Sequence, residues 1–172
     1  MNNLRKCLRV IDQASRASGA VAKWLSLLLV LIGTYEAVSR HFFGAPTIWS
    51  YDALCMAGGA LYMLGASYDY LNDSHTRVDV FYSMLSPRKK AGLDAICFLF
   101  LFLPLVGVML KLAVTWAVRA WRINEVFYNS FWYPPAGPYR TVFALGLLLL
   151  LLQGCAKFIR DSYFALRGET LD

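Results

Sequence analysis

Few residues in this chain have side chains suited to catalysis, and their spacing keeps them apart. The four cysteines are Cys7, Cys55, Cys97 and Cys155, and no C-x-x-C pair occurs. Neighbouring cysteines therefore form no thiol–disulfide active site. We read the four as small apolar packing residues. The two histidines, His41 and His75, are separated by a whole apolar segment. One chain cannot bring both to the same depth as axial haem ligands. No H-E-x-x-H, P-loop, G-x-S-x-G or zinc-spaced cluster is present. The expectation is a protein that is not an enzyme, holds no cofactor or metal and binds no nucleic acid.

Charges inside apolar segments carry more information. Glu36 and Arg40 stand at i and i+4 near the end of the first apolar segment, the spacing that lets a carboxylate and a guanidinium pair on one helix face. A carboxylate in lipid is costly unless it is paired or protonated. Two readings follow: a structural pair that fixes how this helix packs, or a proton-coupled site such as a stand-alone four-span exporter would use. We favour the structural pair, because an acid already bound to arginine is a poor carrier. Asp52 falls at the start of the second segment, where the helix dipole and free N–H groups favour an acid. Lys111, inside the third, must snorkel or meet an acid on a neighbouring helix or subunit.

The elements that must position these groups follow from composition. Apolar residues make up 58% of the 172-residue chain and charged residues 16%. A soluble domain of this length has too little interior for that much apolar surface, and disorder needs the opposite balance. Four apolar segments span roughly 21–43, 48–70, 93–118 and 141–159, each long enough to cross a hydrocarbon core of about 30 Å. The fold class expected is an all-α integral membrane protein of four transmembrane helices, a single membrane domain over 1–172.

Of the 17 Lys and Arg residues, most lie before the first span, between the second and third (including Arg77, Arg88, Lys89 and Lys90), or from Lys157 onward. The opposite side holds only Arg40, Arg119, Arg122 and Arg140. The positive-inside rule then puts both termini in the cytoplasm. Trp49, Trp116, Trp121 and Trp132 gather toward the outer boundary and Trp24, Tyr68 and Tyr70 toward the inner one, as amphipathic rings prefer. Pro104 is expected to kink the third span. The basic stretch 1–20 has Leu4, Leu8, Ile11 and Ser15 at helical spacing, a cytoplasmic amphipathic segment suited to a membrane surface. It does not read as a signal peptide, since its charged region is long and no small-x-small cleavage site follows. On the second span Ala53, Ala57 and Ala60 form one small-residue stripe, and Gly58 and Gly65 another. Such stripes let helices approach closely, within the bundle or against a partner.

The order of these features resembles the small membrane subunit, DctQ-type, of tripartite ATP-independent periplasmic (TRAP) transporters. The resemblance rests on V-S-R-H-F-F (38–43), on I-W-S-Y-D-A-L (48–54) with Trp49 and Asp52, and on L-G-A (64–66) with Gly65. It continues with H-T-R-V-D (75–79), holding His75, Arg77 and Asp79 in an interfacial segment after the second span, and with the Gly146-to-Gln153 spacing of the fourth. Asp52 stands where the family usually has Glu. The loop 124–140 keeps Glu125, Ser130 and its prolines but is unusually aromatic. The resemblance implies a multi-pass subunit of the bacterial inner membrane. Its partners would be membrane lipid, a large sodium-coupled elevator permease and a periplasmic solute-binding protein delivering an organic acid. It also implies that the loop with Arg122, Glu125, Ser130 and Trp132 is a surface for a partner.

Overall fold

The computed structural model describes residues 2–72, 87–128 and 131–167, with side chains over 5–72, 89–128 and 131–166. The described residues are helical, with no strand beyond one isolated bridge, Val126 to Pro135. The helices are α1 (Asn2–Phe42), α2 (Ser50–Leu71), α3 (Pro87–Cys97), α4 (Leu103–Arg122) and α5 (Ala136–Arg167), with a π-helical turn, Phe98–Phe102, joining α3 to α4. Among the described residues three stretches are long and apolar enough to cross a membrane: Arg5–Phe42, Lys89–Arg122 and Ala136–Leu166. The 22-residue α2 is long enough but does not join them by apolarity; Gly, Ala, Ser and Tyr fill much of it.

α5 is the hub. It packs against α2, α4, α3 and α1, and α1 lies along α2. Two small apolar cores result. Val106, Ala113, Ala144 and Leu147 join α4 to α5, with Met63 of α2 against them. Leu8 and Ala156 join α1 to α5, with Ile11, Ile159 and Tyr163 around them. The buried residues are mostly Ala and Ser, since without a hydrophobic driving force helices in lipid associate through close backbone approach. Large side chains face outward: Trp24 is 73% and Phe100 72% exposed.

Two expectations are met differently. The described part of this segment, residues 2–20, does not lie apart as a surface helix. It is the first half of α1, unbroken to Phe42, and its apolar face buries Leu8 at 3% exposure against α5. Nothing in the stretch breaks helix geometry, and α5 runs on past 159 to receive it. The effect of Pro104 is taken up one turn earlier. Proline cannot donate to the carbonyl of Phe100 and crowds it. The backbone widens into the π turn, where Leu103 N–H reaches the Phe98 carbonyl.

Candidate functional site

Polar groups gather in two regions, one at the end of the bundle that holds the α1–α2 and α4–α5 connections, the other along the contact of α1 with α5. At one end Glu36 accepts from Arg40, with Nη2 at 2.6 Å and Nε at 3.1 Å from Oε1. Its other oxygen accepts from the Thr47 backbone N–H at 3.1 Å and from the Thr47 hydroxyl. Thr47 lies in the α1–α2 connection, whose Gly44 takes a left-handed φ of 59°, open to a residue without Cβ. Ser39 Oγ donates to the Ala45 carbonyl at 2.7 Å across the same turn. The Tyr35 and Trp49 rings stack 6.0 Å apart. Glu36 therefore ties α1 to the entry of α2, with its side chain 13% exposed against 67% for Arg40. Asp52 sits in the first turn of α2, but the cap residue is Trp49 and makes no side-chain capping bond.

Across this end, Glu125 and Arg140 form a two-pronged pair, both contacts 2.7 Å. The pair closes the turn between α4 and α5. Asn124 and Tyr133 adopt φ of 46° and 49°, uncommon for residues with a Cβ, and the backbone bonds Phe127 N–H to Pro134 O (3.1 Å) and Ala136 N–H to Glu125 O (2.8 Å) hold the return. Arg140 also stands 5.8 Å from the Trp116 ring, and Trp121 Nε1 donates to Thr141 at 2.9 Å.

Farther along, α1 and α5 are joined through a buried amide. Gln153, 1% exposed, accepts from Ser15 Oγ at 2.9 Å and donates to Asp12 Oδ1 at 3.1 Å. Arg160 donates to both Asp12 oxygens, at 2.6 and 3.2 Å. Nearby, Ser18 and Ser67 hydroxyls share a bond of 2.9 Å between α1 and α2. Gly146 lies two turns before Gln153 on the same face of α5. A Cβ there would fall 2.7 Å from the Met63 carbonyl oxygen of α2. The Gly-to-Gln spacing thus gives one stripe two tasks: close approach to α2, then a polar tie to α1.

The residues singled out from sequence fall into distinct places. Glu36 and Arg40 meet each other, and Gln153 joins Asp12, Ser15 and Arg160. Glu125 turns inward to Arg140, while Arg122 and Trp132 are exposed. His75, Arg77, Asp79 and Ser130 lie outside the described residues. Gly65 faces Ala22 at an ordinary 3.9 Å and Gly58 has open space beside it, so neither marks the tight crossing that Gly146 does. Cys7, Cys55 and Cys97 are exposed on helix surfaces rather than packed. Thr47, Asp12, Ser15, Arg140 and Arg160 were not signalled as site residues. Their partners lie 11 or more residues away, beyond the reach of any one-turn pattern. Among the described residues no three His, Cys, Asp or Glu side chains come together as a metal site.

The arrangement can join helices: each of its main polar groups is taken up by a partner on another element or across a turn. The sequence model of the family described as tripartite ATP-independent periplasmic transporters, DctQ component, matches residues 29–163. The chain belongs to this family, the small permease component of TRAP transporters. This is a transporter component rather than an enzyme family, and it works with a large permease and a binding protein. A comparison with curated proteins returns no match. Nothing found supports the stand-alone exporter reading, and both Glu36 oxygens are already taken up by donors.

Proposed function

We propose that this chain is a static brace for the large permease subunit of a TRAP transporter. It widens the scaffold along which a moving, sodium-coupled domain carries an organic acid received from a periplasmic binding protein. The observation that carries this reading is the use made of its polar side chains. Glu36 with Thr47, Glu125 with Arg140, and Asp12 with Gln153 and Arg160 each tie one element to another, and broad apolar faces remain on the outside. A brace needs rigid internal ties and an open flank. In this reading α2 is the fourth crossing, sheltered between α1 and α5, and 1–172 forms one membrane domain of the bacterial inner membrane with both ends in the cytoplasm. The charge asymmetry supports that orientation. Asp52, Gly65 and the segment with His75, Arg77 and Asp79 belong to the brace, and Arg122, Ser130 and Trp132 face the binding protein. The test is affinity purification of the tagged chain, co-expressed with its large permease, in mild detergent. Stoichiometric recovery of the permease is expected. A stable, transport-active homo-oligomer without it would overturn the reading.

A further inference from the structure

Lys111 stands apart from the polar ties just described. Val106, Ala113, Ala117 and Ala120 form the buried stripe of α4, and at about 100° per residue Lys111 falls opposite it. Its side chain is exposed and, among the described residues, has no hydrogen bond or ion pair. Along the helix axis it lies about 12 Å from Arg119 and about 25 Å from Asp94, well inside the apolar stretch. Escape to water is poorly served by geometry. Side chains on a helix tilt toward its N-terminus, which here points Lys111 away from its nearer boundary and into the hydrocarbon. A stretched lysine spans only roughly half the distance to Arg119.

The surrounding face is shaped for a close neighbour. Val108 and Leu112 beside it are 59% and 51% exposed. One turn below, Gly107 has open space where a Cβ would stand. One turn above, Thr115 folds its hydroxyl back onto the Lys111 carbonyl at 2.8 Å, keeping a low profile. A charge in lipid needs an opposite charge at its own depth, and small residues on either side of it let a second helix come near.

We infer that the Gly107–Lys111–Thr115 face of α4 receives a transmembrane helix of the large permease, and that an Asp or Glu on that helix pairs with Lys111. The inference rests on the brace reading and names the contact through which it acts. The test compares the co-expressed complex carrying Lys111→Met, Lys111→Arg or the native residue, with zero-length carbodiimide cross-linking and mass analysis of the native complex. Lys111→Met removes the charge at similar length and makes α4 easier to hold in lipid, so loss of the partner cannot come from failed insertion. Recovery of permease is expected to fall about tenfold for Lys111→Met, the scale of an interhelical polar pair in lipid. Lys111→Arg should keep most of it, and a cross-link from Lys111 to a permease carboxylate should appear. Equal recovery for Lys111→Met and native would overturn the pairing alone. So would a drop in bound anionic phospholipid with permease unchanged, which would assign Lys111 to a headgroup. Failure of the native chain to recover permease would overturn the brace reading itself.

Discussion

Replacing Gly146 by alanine tests the packing logic with the smallest available change. The added Cβ would meet the Met63 carbonyl oxygen at 2.7 Å and its carbon at 2.8 Å, both well inside van der Waals contact. The obstacle is backbone, so no side chain can rotate away, and α2 and α5 must separate. Overpacking of this kind costs about 1–3 kcal/mol, while alanine in place of glycine returns up to about 1 kcal/mol of helix propensity. The net is up to about 2 kcal/mol of destabilisation, and about 1–3 kcal/mol relative to an alanine that meets no obstacle. For a chain of this size the fall in melting temperature is up to about 8 °C. Gly58→Ala is the matched control, since nothing lies within 4 Å of its Cβ position, and it should be neutral or slightly stabilising. Thermal unfolding of both variants in mild detergent, followed by tryptophan fluorescence, reads the difference. If Gly146→Ala were as stable as Gly58→Ala, the close crossing of α2 and α5 would not be the feature that holds the bundle.

Gln153→Leu strips Ser15 and Asp12 of a buried partner and should cost about 1–3 kcal/mol, seen as a lower melting temperature. Gln153→Asn, one methylene short, should not restore it. Arg140→Lys keeps the charge but loses the two-pronged fit to Glu125; faster proteolysis between α4 and α5 is the expected sign, and unchanged cleavage would remove that pair's role as a clasp. Glu36→Gln keeps the shape at the α1–α2 turn but weakens the tie to Arg40. It should lower the yield of assembled complex while leaving the apparent KM for the solute within about twofold; a changed solute preference would instead place Glu36 in contact with cargo.

How much of this was legible beforehand depends on distance along the chain. Helices, and the Glu36–Arg40 pair at one turn's spacing, follow from periodicity because both partners lie within one element. The Asp12–Arg160 and Ser15–Gln153 contacts join the first helix to the last, and no local pattern carries them. Glu125–Arg140 depends on a loop whose return is held by left-handed residues at Asn124 and Tyr133; asparagine favours that conformation, but a tyrosine there gives no local signal. The same limit explains the misplaced glycines. Gly58, Gly65 and Gly146 look alike in sequence, and only the helix crossing decides which one meets a backbone.

The most direct measurement places the purified chain in vesicles, alone and together with the large permease, and follows solute uptake after adding the binding protein under a sodium gradient. A static brace gives no uptake alone and full uptake with its companions. Solute accumulation by vesicles holding only this chain would contradict it.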